Sequence, residues 1–254
     1  LSEQERKGGV VACSSGNHAQ GVACAAKLLG VDAVIVMPEN VNPVKLEGTV
    51  SYGAKVILAG TQSSVRDAKA EEIKRTEGRT LIHPYANDYV KAGQGTIGLE
   101  ILEDNPSIET IVVPIGGGGM ISGIATAAKG IHRTVRIIGA EPEGAPRYRL
   151  SREAGHPVWL DHVDTIADGT RTDHADAGNF PIIEERVDEL VSVSDSDIRT
   201  AMRLIVSAAK LVAEPSSVMP AAAAQAGRLK LRPDEKTVFV ISGGNNDLSI
   251  LKTV

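Results

Sequence analysis

Short apolar segments alternate with amphipathic segments along the 254-residue chain, and this alternation limits the possible folds more than any other feature. The apolar segments are continuous and rich in β-branched residues, which is typical of buried strands. The clearest of them are residues 9–13, 33–37, 110–115, 135–140 and 238–241. Between them, apolar residues recur at helical spacing. Strands that are apolar on both faces and separated by helices predict an α/β fold with mostly parallel sheets flanked by helices.

The chain is expected to divide in two near residues 83–88, where strand and helix patterns are both interrupted. We predict a small domain over residues 8–84 and a large domain over residues 85–254. Within the large domain, a long amphipathic helix is predicted over residues 195–212 and an alanine-rich helix over residues 217–229.

Composition and charge exclude several classes of protein. An apolar fraction of 42% excludes a disordered chain, and a net charge of −5 argues against a nucleic-acid binder. No apolar run of about eighteen residues and no basic, then apolar leader occurs, so neither a membrane span nor a signal peptide is predicted. Two cysteines, Cys13 and Cys24, are too few for a disulfide framework. We therefore expect a soluble, cytoplasmic, globular protein.

Three polar loops that contain glycine directly follow predicted strands, at residues 14–17, 116–119 and 242–245. Ligands of open α/β sheets bind beyond the carboxyl ends of the strands. One such loop would be unremarkable, because any turn between strand and helix uses Gly, Ser and Asn. Three of them suggest one shared ligand with a bulky anionic end.

The second loop consists of four consecutive glycines, which we call the tetraglycine loop: Gly116, Gly117, Gly118 and Gly119. Its N–H groups have no side chains in their way and precede a predicted helix, which favours a phosphate site. A flexible turn packed closely on the sheet is the alternative. The loop is neither GxGxxG, because position 121 is Ile, nor a P-loop, because no Gly-Lys-Ser or Gly-Lys-Thr follows. A small phosphorylated cofactor therefore fits better than a dinucleotide or a nucleoside triphosphate.

The first and third loops are weaker signals. The N–H groups of residues 14–18 could hold a carboxylate at the start of a helix, but ordinary N-capping explains the same residues equally well. The loop at residues 242–245 could be a plain turn. The six histidines are scattered and no GxSxG sequence occurs, so zinc chemistry and a serine hydrolase are disfavoured.

Taken together, six segments resemble the serine/threonine dehydratase and serine racemase family of pyridoxal-phosphate (PLP) enzymes. The segments are Ser14-Ser15-Gly16-Asn17-His18-Ala19-Gln20-Gly21, Ala92-Gly93-Gln94-Gly95-Thr96, the tetraglycine loop, Gly139-Ala140-Glu141-Pro142, Ala167-Asp168-Gly169 and Ser242-Gly243-Gly244-Asn245. The resemblance implies the two-domain fold type II, in which a small domain clamps the substrate and a large domain holds PLP. It also implies an L-serine/L-threonine ammonia-lyase that yields a 2-oxo acid and ammonia, with serine racemase as the alternative, and a homo-oligomer.

The resemblance also implies roles for individual residues. The tetraglycine loop and the Met120 amide would bind the PLP phosphate. Asn17 would face the phenolic oxygen of the cofactor, and Ser242 its pyridine nitrogen. Ser14, Ser15, Gly16 and His18 would hold the substrate carboxylate. In racemases the residue that matches Ser15 is also an acid/base, so Ser15 is the candidate catalytic residue in this chain.

Two departures from the family pattern bear on activity. The family's Schiff-base lysine lies in a Ser-Phe-Lys segment, which does not occur here. We therefore expect a truncated chain that lacks part of the large domain and is inactive by itself, and a non-enzymatic cofactor-binding remnant is the further alternative.

The second departure concerns a cation, which relatives bind through residues that match the Glu141 carboxylate and the Ala145 carbonyl. Arg147 stands where those relatives have Asp, so a divalent ion is disfavoured, while a monovalent ion or none stays open.

Overall fold

The computed structural model describes residues 1–253, and its contacts divide them into two compact units. The first unit comprises Leu1–Pro84 and Asn245–Asp247. The second comprises Tyr85–Gly244 and the 3-10 segment Leu248–Thr253.

The first unit is a four-stranded parallel sheet covered by helices. Its strands are β1 (Val10–Cys13), β2 (Ala33–Met37), β3 (Lys55–Leu58) and β4 (Thr80–Leu81), in the order β3-β2-β1-β4. Its helices are α1 (Glu3–Gly8), α2 (Asn17–Leu29), α3 (Pro43–Ser51) and α4 (Ser63–Glu77). Every residue of β2 is buried, because apolar side chains pack on both sides of the central strands.

The second unit repeats this design with a second parallel sheet. Its strands are β5 (Thr110–Pro114), β6 (Arg136–Pro142), β7 (Glu189–Val193) and β8 (Thr237–Phe239), in the order β7-β6-β5-β8. The helices are α5 (Asp88–Asp104), α6 (Gly119–Ile131), α7 (Arg147–Ala154), α8 (Phe180–Arg186), α9 (Asp195–Leu204) and α10 (Met219–Gln225). Ile111 and Val113 face one apolar cluster while Val112 faces another, so β5 is buried on both faces. The predicted α/β fold is confirmed.

Two helices are shorter than their sequence patterns predict. Helix α9 ends at Leu204, and a π-helical turn over Ile205–Ala209 leads to Lys210 in the left-handed conformation, with φ 58°. The physical reason is burial: Ile198, Ala201 and Met202 face the core, whereas the side chains of residues 207–212 are exposed, so no packing holds a helix there. Helix α10 covers only Met219–Gln225, and Gly227 follows it with φ 66°.

Helices α7 and α8 lie between β6 and β7, where the sequence patterns predict no helix. Neither exceeds eight residues, which is too short for a clear helical periodicity. Both carry side chains that matter for the site described below. Over residues 1–253, no helix has the length and apolarity needed to cross a membrane.

Candidate active site

The tetraglycine loop connects β5 to α6 in the second unit. Gly118 is the N-cap of α6 and has a left-handed backbone with φ 85°, and the helix begins with the bond from Ser122 N–H to the Gly118 carbonyl. Within residues 1–253, no backbone carbonyl accepts from the N–H groups of Gly117, Gly118, Gly119 or Met120. Four adjacent donors at the positive end of a helix form an anion cradle.

Buried side chains hold the carbonyl groups of this loop. Arg147 Nη1 donates to the Gly116 carbonyl at 2.7 Å. The Gly117 carbonyl accepts from the Tyr148 hydroxyl and from Asn179 Nδ2, both at 2.9 Å. Because the carbonyls are engaged by the protein, the loop is fixed in a conformation that leaves its N–H groups for a ligand.

Packing also requires glycine in the loop. A Cβ on Gly117 would overlap the ring of Tyr85, and one on Gly118 would overlap the Tyr148 hydroxyl. The close-packed turn and the phosphate cradle are therefore compatible interpretations of the same four residues. The phosphate of PLP would fit this loop, since the N–H donors that it needs are present and donate to no backbone carbonyl within residues 1–253.

Tyr148 is the central hydrogen-bonding residue beneath the loop. Its side chain is fully buried, and its hydroxyl accepts from Asp176 N–H at 3.1 Å while donating to Gly117. Burial raises the pKa of Tyr148 above its ordinary value, so the residue remains a neutral donor.

Glu141 and Ala145 lie next to this network. The Glu141 carboxylate is fully buried and accepts from the N–H groups of Tyr148 and Arg149, both at 2.9 Å. Burial raises the pKa of Glu141, while the positive charge of Arg147 and these two N–H groups act in the opposite direction. The Ala145 carbonyl accepts from Arg147 Nη2 at 2.7 Å. Over the part of the chain that the structure describes, no cluster of three or more His, Cys, Asp or Glu side chains could hold a metal ion.

The first loop, residues 14–18, lies in the first unit between β1 and α2. Gly16 is the N-cap of α2 and is buried, whereas the side chains of Ser15 and Asn17 are exposed to solvent. Ser14 Oγ accepts from Gly16 N–H at 3.2 Å, so Ser14 shapes the loop itself. Ser15 and Asn17 are thus accessible to a ligand, as their predicted roles require.

His18 is held by the protein backbone. Its Nε2 lies 2.8 Å from the Ile82 carbonyl and must donate, because a carbonyl only accepts. Burial is the main cause that lowers the pKa of His18, and the nearby His83 adds to it. The imidazole is therefore neutral near pH 7. The predicted role of His18 toward a substrate carboxylate stays a prediction.

Asn17 and Ser242 belong to different units. In the first unit, Asn17 Oδ1 accepts from Asn245 Nδ2 at 2.8 Å, and Gln20 Nε2 donates to Asn245 Oδ1 at 3.2 Å. In the second unit, Ser242 is exposed in the irregular segment after β8. The next residue fixes that segment, since the Gly243 carbonyl accepts from Glu214 N–H at 3.0 Å and from Ser217 Oγ at 2.8 Å.

Sequence patterns missed Lys45, which lies beside the first loop. Its side chain is only 7% exposed, and a Cβ on Gly16 would lie 2.9 Å from Lys45 Cδ and 3.5 Å from Nζ. A buried ammonium group here adds positive charge next to the proposed carboxylate clamp. In the sequence, Asn42-Pro43 predicts that a helix starts here, but this pattern does not show which way the Lys45 side chain points.

Comparisons with known proteins agree with this geometry. Residues 1–243 match the family model described as pyridoxal-phosphate dependent enzyme. The catabolic L-threonine dehydratase TdcB of Staphylococcus aureus (strain USA300) is 41% identical over 253 residues, covering 98% of this chain and 72% of that protein. TdcB of Escherichia coli (strain K12) is 42% identical over 250 residues, covering 98% and 76%. The solved structure of maize serine racemase superposes with a TM-score of 0.95 at 39% identity, covering 100% of this chain and 78% of that chain.

The parallel sheets, the tetraglycine loop and these similarities define a PLP enzyme of fold type II. The chain belongs to the family of pyridoxal-phosphate dependent enzymes. It spans about three quarters of the length of the threonine dehydratases and the serine racemase that it matches.

Proposed function

We propose that the chain acts in a PLP-dependent L-serine/L-threonine ammonia-lyase. Its net reaction converts the amino acid to a 2-oxo acid and ammonia, because the water that is eliminated first is taken up again when the resulting unsaturated amine is hydrolysed. The observation that carries the proposal is the tetraglycine loop, whose carbonyls are held by buried side chains while its N–H groups remain available. The similarity to two catabolic L-threonine dehydratases supports the choice of reaction.

Each candidate residue has a proposed task toward cofactor or substrate. The N–H groups of Gly117, Gly118, Gly119 and Met120, with Gly116 completing the loop, hold the phosphate. Asn17 faces the phenolic oxygen. When bound, PLP withdraws electrons from the α-carbon of an amino acid and so eases loss of its proton.

The substrate carboxylate binds at the first loop, through Ser14, Ser15, Gly16 and His18, with the positive charge of Lys45 beside it. Ser242 faces the pyridine nitrogen. A hydroxyl does not hold a proton on that nitrogen as a carboxylate would, so it limits electron withdrawal by the ring. Such a limit disfavours a long-lived carbanion and favours expulsion of the β-hydroxyl group.

Serine racemase is the second candidate, and the close superposition on the maize enzyme favours it. The exposed hydroxyl of Ser15 is the group that would exchange the α-proton on one face of the substrate. A cytoplasmic location and a homo-oligomeric state, which the family resemblance implies, belong to the same proposal.

One variant separates the two candidate activities. The test uses a longer chain that includes a Ser-Phe-Lys segment, as wild type, as Ser15→Ala and as the control Ser196→Ala. Two activities are measured for each: formation of 2-oxo acid from L-serine and L-threonine, and racemisation of L-serine. If Ser15 moves a proton, racemisation should fall by roughly 10²–10⁴-fold, and dehydration far less. Equal loss of both activities would restrict Ser15 to carboxylate binding, and a wild type without any 2-oxo acid formation would contradict the lyase proposal.

A chain that binds cofactor without catalysis is the remaining candidate. Its support is that residues 1–254 contain no Ser-Phe-Lys sequence to anchor PLP covalently. We propose that these residues on their own are inactive.

A further inference from the structure

Arg147 places a buried positive charge among backbone carbonyl groups. It is the first residue of α7 and its side chain is fully buried. Its Nη1 donates to the Gly116 carbonyl at 2.7 Å, and its Nη2 donates to the carbonyls of Ala145 and Thr170 at 2.7 and 2.8 Å. Three separate chain segments thus converge on one guanidinium group.

The groups around Arg147 are those that otherwise surround a metal ion. Carbonyl and carboxylate oxygens are the ligands that hard cations prefer. The buried Glu141 carboxylate supplies the nearby negative charge and attracts the guanidinium. A free cation at the Ala145 carbonyl would meet the like charge of Arg147, whose Nη2 already donates to that oxygen. The residues present therefore do not fit a metal ion.

We propose that Arg147 is a tethered cation that takes the place of a metal ion and makes the tetraglycine loop independent of free cations. It acts as a positioning residue, because it holds the Gly116 carbonyl and thereby the first residue of the phosphate cradle. The same group joins that loop to the segment of Thr170 and to the start of α7.

The geometry requires arginine in particular. A planar guanidinium reaches the three carbonyls through two separate nitrogens, whereas the single ammonium group of lysine would have to reach them from one point. Arg147 Nε is buried without a hydrogen-bond partner, so the two terminal nitrogens make all the polar contacts of the side chain.

The first test measures thermal unfolding of the wild type, Arg147→Asp and the control Arg149→Asp, in EDTA and in millimolar Ca²⁺ or Mg²⁺. Arg149 is two residues away and only half-buried. The wild type should unfold at the same temperature in all three solutions. Arg147→Asp should unfold earlier in EDTA, because two buried carboxylates then repel, and divalent ions should raise its midpoint in proportion to the logarithm of their concentration. The control should not respond.

The proposal would be overturned if EDTA destabilised the wild type or divalent ions stabilised it. It would also be overturned if Arg147→Asp folded but its unfolding midpoint did not change with divalent ions, or if the midpoint of Arg149→Asp changed equally. If Arg147→Asp does not fold, Arg147→Ala decides. Millimolar methylguanidinium should raise the unfolding midpoint of Arg147→Ala and strengthen its PLP binding. Arg147→Lys should not restore either property to the wild-type value. Absence of that rescue would contradict the proposal. None of these readouts requires lyase activity, so failure here is distinguishable from failure of the proposed function.

Discussion

At the scale of single residues, neighbouring positions of the tetraglycine loop need glycine for different physical reasons. Gly118 adopts φ 85°, a conformation that costs a non-glycine residue roughly 1–2 kcal/mol. Gly117 lies against the ring of Tyr85, where any Cβ would overlap it. Backbone conformation and side-chain packing therefore act together to keep the N–H groups clear.

We expect Gly118→Asp to lower PLP affinity by roughly 100-fold or more, since a combined loss of about 3 kcal/mol corresponds to that factor. The new Cβ would displace the Tyr148 hydroxyl from the Gly117 carbonyl, and the carboxylate would add negative charge to the cradle. Equilibrium dialysis against PLP measures the effect. Gly130→Asp, in open space at the other end of α6, is the control. Unchanged affinity of Gly118→Asp would show that the phosphate binds elsewhere.

The His18 side chain should make the free energy of unfolding depend on pH. Its pKa is lowered by burial, so between the folded value and the unfolded value of about 6.5 the unfolded chain binds more protons. The free energy of unfolding should therefore fall as the pH drops below about 6.5, and this contribution should be constant above that value. Urea unfolding across this range should show a shallower slope for His18→Gln than for the wild type and for the exposed control His162→Gln. An identical slope in all three would contradict the assignment.

At the scale of elements, the proposed phosphate cradle depends on the close approach of α5 to α6. A Cβ on Gly95 would lie 3.1 Å from the Gly123 carbonyl oxygen, and one on Gly98 would lie 2.9 Å from the Ile124 carbonyl oxygen. The glycines of α5 therefore let two helix backbones pass closely. Since α6 begins within the tetraglycine loop, the position of α6 also sets the position of the cradle.

Two substitutions in α5 should have opposite effects on stability. Gly98→Ala should lower the free energy of unfolding by about 1–3 kcal/mol, because it forces the helices apart. Gly93→Ala meets no atom within 4 Å and should raise it by about 0.5–1 kcal/mol through better helix propensity. Urea unfolding of both variants measures the difference. A gain at both positions would mean that α5 and α6 have room to separate.

At the scale of the whole molecule, residues 1–254 contain the proposed cofactor cradle but no Ser-Phe-Lys segment. Noncovalent binding and covalent anchoring of PLP therefore become separable properties. In the proposed function, the tetraglycine loop would hold the phosphate by hydrogen bonds alone, whereas the family resemblance assigns proton removal from the substrate to the lysine of the Ser-Phe-Lys segment.

We predict that residues 1–254 alone bind PLP reversibly, form negligible 2-oxo acid from L-serine, and do not retain PLP after borohydride reduction and denaturation. A longer chain with the Ser-Phe-Lys segment should be active and should retain the reduced cofactor. Robust pyruvate formation by residues 1–254 would refute this and would mean that another lysine anchors PLP. Lys45, buried beside Gly16, would then be the first to replace.

Local periodicity was enough to predict the parallel α/β architecture, and the position of the tetraglycine loop between a strand and a helix followed from the same patterns. These features depend on residues a few positions apart, because apolar spacing separates a buried strand from a helix with one apolar face. The motifs also pointed to the PLP family, which the comparisons confirm.

Only the tertiary structure decided what supports the loop. Arg147 reaches Gly116 across 31 residues and Asn179 reaches Gly117 across 62. From the sequence, Arg147 stood out only because relatives have Asp at the matching position of a cation site. No sequence pattern indicated the contacts that Tyr148, Asn179 and Lys45 make. The physical reason is that a buried polar side chain bonds to whichever carbonyl the packed elements bring within reach, and no local spacing encodes that partner.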